Sequence, residues 1–187
     1  MPISSPMMPA EPQTLDNPAT GERILIRTSG AETAGELLAF DLFLPPRGHV
    51  PAPHAHPTQE ERFTVLHGVL RFRIGGRTLV AAAGETVRIP PRTPHWFGNP
   101  GPLTAHALVE VRPALRMEEL LAASSNLGRS RGFARWHVPA LTALVRLLLE
   151  FEPELAVPCV PPAILRVVLR GLAWLAGLRP VRRVAET

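Results

Sequence analysis

The sequence predicts a mainly β fold, a sandwich or barrel of short strands, followed by an α-helical C-terminal extension. Three observations carry that reading. Short apolar runs bounded by Gly and Pro recur at regular spacing between residues 20 and 112, as they do in sandwiches and barrels. Two of these runs, Val69 to Ile74 and Arg77 to Ala82, flank Gly75-Gly76, a strong hairpin signal. From Pro113 onward the spacing of apolar residues changes to that of helices.

Taken in order, residues 1–19 open with a stretch rich in Pro, Met and Ser that has neither a basic leader nor a continuous apolar run, so a disordered arm is expected rather than a secretory signal. Residues 22–28 and 36–44 read as two strands. Pro51 and Pro53 keep the following segment extended, because a residue before proline avoids the helical region. In Glu61-Arg62-Phe63-Thr64-Val65-Leu66-His67, strict alternation places Glu61, Phe63 and Val65 on one face and Arg62 and Thr64 on the other, as in a half-buried strand. Thr86 to Ile89, Pro94 to Phe97 and Leu103 to Val111 complete the series. Pro113 then starts a helix with Glu118 and Glu119 early in it. A second helix follows Pro139, with Leu141, Leu144, Val145 and Leu148 on one face. A third, Ala163 to Leu178, is apolar nearly all round apart from a stripe of Arg166, Arg170, Ala173 and Gly177. The domains predicted are thus an arm over 1–19, a barrel over 20–112 and a helical extension over 113–187.

Composition narrows the chemistry. All 20 basic residues are Arg, with no Lys and no Tyr, which excludes Schiff-base catalysis through Lys and acid catalysis through Tyr. The single cysteine, Cys159, excludes an internal disulfide and is compatible with a cytoplasmic location. A net charge of +4 is modest, so no nucleic-acid partner is expected. The Arg- and aromatic-bearing segment Gly128 to Trp136 reads as a solvated connector between helices.

Gly48 to Asn99 carries the chemistry. His54 and His56, two residues apart, face the same way on an extended strand, and His95 and an acid complete a set at spacings that a metal can use. Imidazole with carboxylate, and no thiolate, suits a divalent first-row metal better than a structural zinc site. Four such ligands leave about two octahedral positions open and favour an anionic substrate oxygen. The metal's identity, among iron, manganese, nickel, cobalt, copper and zinc, is not readable from an N/O donor set.

These residues resemble the two sequence motifs of the cupin superfamily. The first motif is Gly, five residues, His-x-His, three or four residues, Glu, six residues, Gly; Gly48, His54, His56, Glu61 and Gly68 match it. Glu60 competes as the acid, but only Glu61 leaves six residues to Gly68 and has the inward parity. Gly84, Pro90, His95 and Asn99 match the second motif, with Arg92 where the family has Gly, a departure that bears on a turn rather than on a ligand. The resemblance implies a double-stranded β-helix, or jelly-roll barrel, that pairs as a homodimer. It implies one divalent transition metal on His54, His56, Glu61 and His95, and a catalytic role for Glu61 as base. It also implies a small-molecule substrate, aromatic or enolic, with dioxygenase-like chemistry foremost. The alternatives are a metal-dependent isomerase, cyclase or decarboxylase, and a non-catalytic ligand-binding or sensing module.

Phe63, Val65, His67, Phe72 and Phe97 are candidates to wall a substrate cavity, with core packing the competing role for the apolar members and a buried, backbone-bonded ring the competing role for His67. His49 should face outward, and His106 is assigned to structure. The last helix is shorter than the roughly 20 residues a bilayer span needs, so no transmembrane span is predicted. Contact of that helix with a membrane surface, aided by Arg179, Arg182 and Arg183, is the alternative to its packing on the barrel or a second subunit.

Overall fold

The computed structural model describes residues 13–50, 52–129, 138–158, 160–175 and 177. Among the described residues, nine strands form two sheets: β1 (Thr14–Asn17), β2 (Glu22–Thr28), β3 (Leu38–Leu44), β4 (Glu60–His67), β5 (Val69–Ile74), β6 (Arg77–Ala82), β7 (Thr86–Ile89), β8 (His95–Gly98) and β9 (Ala105–Arg112). The larger sheet runs β1-β2-β3-β9-β4-β7 and the smaller runs β6-β5-β8, with every pairing antiparallel. Three α-helices follow among the described residues: α1 (Met117–Arg129), α2 (Val138–Glu150) and α3 (Pro162–Leu175). This is the jelly-roll barrel with a helical extension that the sequence predicts.

The two sheets meet through phenyl rings. Phe63 of β4 lies 5.2 Å from Phe72 of β5 and 4.9 Å from Phe97 of β8, ring centre to ring centre, in the tilted geometry that aromatic pairs prefer. Gly75 and Gly76 turn the β5–β6 hairpin with φ of 54° and 86°, the pair of positive angles that a two-residue turn matching strand twist requires.

Two boundaries differ from the sequence reading. The arm drawn through residue 19 enters the larger sheet at Thr14, where Leu15 and Asn17 are buried and pair with Ile24 and Glu22. Its alternation is only four residues long, and what secures it is the turn beyond it: Asn17 Oδ1 accepts from Ala19 N, and Asn17 O accepts from Gly21 N. Residues 1–12 lie outside the described residues. The first helix starts at Met117 rather than at Pro113, because Ala114 N donates to Gly35 O and the carbonyls of Pro113 and Ala114 accept from Gln59 Nε2, which ties this stretch to the barrel. Leu115, with φ 45°, also sits outside helical geometry.

The extension is not a separate body. Ala114, Met117, Leu120 and Phe151 join the barrel's hydrophobic core. Helix α1 packs on β1 at Gly128, where a Cβ would meet Asn17 Oδ1 at 2.0 Å, so only glycine fits. Helix α3 rests on α2 and buries only Leu169 among its described side chains. No described helix is long and apolar enough to cross a membrane. In the segment from Gly128 to Trp136, residues 130–137 lie outside the described residues, and Arg129 Nε donates to Asp16 O at 3.2 Å.

Candidate metal centre

The site is assembled from three pieces of chain. His54 and His56 lie on the extended segment before β4, Glu61 near the start of β4, and His95 at the start of β8. A reciprocal backbone pair fastens the first piece to the third: His54 N donates to His95 O at 2.9 Å and His95 N donates to His54 O at 2.8 Å. Alternation along β4 turns Glu61 inward, at 6% exposure, while Glu60 pairs with Arg88 on the outside at 2.5 Å. The inward acid is therefore Glu61. One donor atom from each of His54, His56, Glu61 and His95 lies within 4.8 Å of the others, the one such cluster among the described residues.

The ring nitrogens have assigned roles. Nδ1 of His54, His56 and His95 each faces a backbone carbonyl, that of Ala52 at 3.2 Å, Glu154 at 2.5 Å and Thr93 at 3.0 Å respectively. A carbonyl only accepts, so each Nδ1 carries the hydrogen and each neutral ring keeps its lone pair on Nε2. Glu61 Oε2 stands 3.0 Å from His95 Nε2 and 3.4 Å from His56 Nε2, and none of these three buried atoms has a hydrogen-bond partner. Lone pairs that converge in a buried space are stabilised by a cation or a shared proton among them. The donor set and its orphaned atoms fit a metal ion.

Electrostatics agree. Burial, together with the neighbouring imidazoles of His95 and His56, pushes the pKa of His54 down to about 3, which keeps it neutral. Burial raises Glu61, but the imidazoles of His56 and His95 outweigh it and hold the carboxyl well below its usual range. Burial lowers His56, and the Glu61 carboxylate more than reverses this, so its pKa is raised. A bound cation would compete with protonation of His56.

The other singled-out residues fall into place around this centre. Phe63, Val65, Phe72 and Phe97 are at most 7% exposed and pack on one another or within the core. His67 does not line the interior either. A bulge between Val65 and His67 breaks the alternation, and His67 is exposed, its Nδ1 3.3 Å from Thr104 O. His49 is exposed beside Trp96, and His106 contacts buried Asp41 at 2.9 Å while stacking on Phe43. Asn99 of the second motif is structural: its Nδ2 donates to Leu44 O and Leu103 O, and its Oδ1 accepts from Gly101 N. Arg92, where the motif has glycine, takes the left-handed conformation, φ 62°, that favours glycine, and its N–H donates to His56 O at 2.7 Å.

Sequence reasoning missed Glu154. It lies in the acidic run from Glu150 to Glu154, whose composition reads as solvated surface, yet it is 2% exposed and its carbonyl meets a candidate ligand.

A family model described as "Cupin domain" matches residues 41–110. Solved structures with similar folds include an RmlC-like cupin from Shewanella frigidimarina, 19% identical, covering 62% of this chain and 96% of that one with a TM-score of 0.50. A predicted oxalate decarboxylase from Thermotoga maritima is 20% identical, covering 55% and 91% with a TM-score of 0.47. A putative sugar phosphate isomerase from Acidithiobacillus ferrooxidans is 21% identical, and the chain spans 59% of its length while 48% of the chain is covered, with a TM-score of 0.42. Among curated proteins no match is found. At such identities the likeness shows the fold alone. Motif, jelly-roll topology and family match coincide on one stretch: residues 41–110 of the chain match the cupin domain.

Proposed function

We propose that this protein binds one divalent transition metal ion through His54, His56, Glu61 and His95 and is an enzyme acting on a small organic anion. One observation carries this: the buried, unpartnered Nε2 atoms of His56 and His95 converge on Glu61 Oε2, with His54 completing the set. A bound metal would supply Lewis acidity and, if redox-active, electron transfer. In this reading His54, His56 and His95 present oriented Nε2 lone pairs, and Glu61 brings one negative charge and is the candidate base. Dioxygenase-like turnover of an aromatic or enolic substrate is the leading chemistry. Isomerisation, cyclisation or decarboxylation is separated from it by turnover without oxygen.

Elemental analysis of protein purified without an affinity tag, beside a His54→Ala, His56→Ala double variant, tests the reading. About one metal per chain, absent from the variant, supports it; no metal after reconstitution with iron, manganese, nickel, cobalt, copper or zinc overturns it. A second reading, a ligand-binding or sensing module, is favoured by an apolar cavity of about 280 Å³ between α2, α3 and Pro57, lined by Leu148, Leu155, Val157 and Leu169. Metal binding without turnover of any small anion would bring it forward. Pairing of two copies belongs to the same proposal, supported by exposed Leu79 and Val80 on edge strand β6 and tested by light scattering. A cytoplasmic location also belongs to it, supported by the lone cysteine.

A further inference from the structure

We propose that the segment Phe151–Ala156, which follows α2, is a working part of the metal centre, and that Glu154 is a positioning residue for His56. The inference rests on the metal-binding reading above.

The three imidazoles are not oriented alike. His54 and His95 are each held by a carbonyl two residues upstream, Ala52 and Thr93, so the barrel's own loops set their rings. The acceptor for His56 Nδ1 is Glu154 O, 98 residues away in the helical extension. Two ligands are therefore prepared by the cupin domain alone, and the third by the chain that follows it.

The segment is fixed on both sides. Ala55, between the two histidines, exchanges two backbone hydrogen bonds with Ala156, at 3.0 and 2.8 Å. The ligand-bearing segment is thereby clamped by β8 through His54 on one side and by the extension through Ala55 on the other. The Glu154 carboxylate, 2% exposed, accepts from Arg116 N at 3.3 Å, just before α1. Arg116 in turn covers the buried ring of Phe151 at 4.8 Å and pairs with Glu119 and Glu150. Glu154 thus ties the start of α1 to the carbonyl that aims His56, and losing its carboxylate frees that carbonyl to move. Partners of metal-ligating imidazoles are worth about 10- to 100-fold in metal affinity.

The test is cobalt(II) titration of the full-length, metal-stripped chain, followed by visible absorption, with far-UV circular dichroism and thermal melting of each metal-free variant. Glu154→Ala should weaken cobalt(II) binding by about tenfold or more and alter the cobalt absorption bands. Glu154→Gln, which keeps an acceptor for Arg116 N, should restore both, and Trp174→Ser on exposed α3 should leave both unchanged. A merely structural Glu154 would lower the melting temperature of Glu154→Ala while leaving cobalt affinity, measured well below that temperature, as in the wild type; that result overturns the proposal. Wild-type protein supplies a check independent of folding: nitrogen NMR of the metal-free chain should find the neutral form of His56 with its hydrogen on Nδ1, and a hydrogen on Nε2 overturns the proposal. If the wild type binds no cobalt(II), zinc(II) or iron(II), the metal reading itself falls and this inference falls with it.

Discussion

The barrel and the last helix put apolar sequence to different ends. In the barrel, Phe63, Val65, Leu70, Phe72 and Val109 are no more than 1% exposed. In α3, Val167 is 71% exposed, Trp174 80% and Leu175 74%, and Leu169 alone among the described side chains is buried. A strand's period of two sends alternate residues into a core closed by the facing sheet. A helix lying on one neighbour buries only the stripe that touches it, however apolar its other faces are. Burial in the barrel is therefore dictated by the pattern, whereas burial in the extension depends on what comes to cover it.

The sharpest test of that contrast is truncation of a core ring. Phe63→Ala should cost about 3–5 kcal/mol, because Phe72 and Phe97 both pack on that ring and a cavity would remain between the sheets. Urea unfolding measures it. Leu169→Ala removes a side chain buried nearly as well, 6% exposed against 1%, but one that faces α2 at the molecule's edge, where neighbours can relax into the gap. Its expected cost is about 2 kcal/mol, at the low end of the range for buried leucines. Equal costs for the two would end the contrast.

The legibility of the sequence follows the same division. Alternation in β4 identified the inward Glu61, and Gly75-Gly76 placed its hairpin between the correct strands, because both signals are local. Parity failed at His67, where a bulge adds a residue that no local pattern announces. The four candidate ligands were legible because their chemistry and spacing are unusual. Glu154 was not, because its role depends on Ala156 meeting Ala55, a contact between distant parts of the chain that leaves no periodic trace. Apolar runs that fill a barrel look the same as runs that wall a cavity within it, so Phe63, Phe72 and Phe97 are open to both readings in the sequence.

Within the barrel, the centre should respond to acid through one ligand before the others. In the metal-free chain the pKa of His56 is raised, whereas that of His54 is held near 3, so in mild acid His56 carries a proton and His54 does not. A metal must displace that proton from His56. Cobalt(II) affinity should therefore be constant above the raised pKa of His56 and fall by about tenfold per pH unit below it, roughly 1.4 kcal/mol per unit. A slope of two protons per metal in that window would mean that a second imidazole of the centre is protonated as well.

A smaller effect is expected at Arg92. Its left-handed backbone costs a residue with a Cβ roughly 1 kcal/mol or more, and glycine removes that strain while adding freedom to the unfolded chain. Arg92→Gly should gain about 0.5 kcal/mol, a rise in melting temperature of about 1–2 °C. A loss of that size would mean that the Arg92 side chain contributes packing that outweighs the strain.

The smallest effect belongs to the exposed face of α3, and it tests the other side of the contrast. Trp174 is 80% exposed, so removing its ring takes little from the folded chain. Trp174→Ser should change stability by less than about 0.5 kcal/mol, within about 2 °C in melting temperature. The two residues also differ in helix propensity by only a small amount. A fall of 5 °C or more that deepens with protein concentration would show that a second copy covers this face in solution, because a contact between copies stabilises by mass action and a contact within one chain does not. A fall independent of concentration would instead place the ring against its own chain. With no fall, the ring of Trp174 stays uncovered on α3.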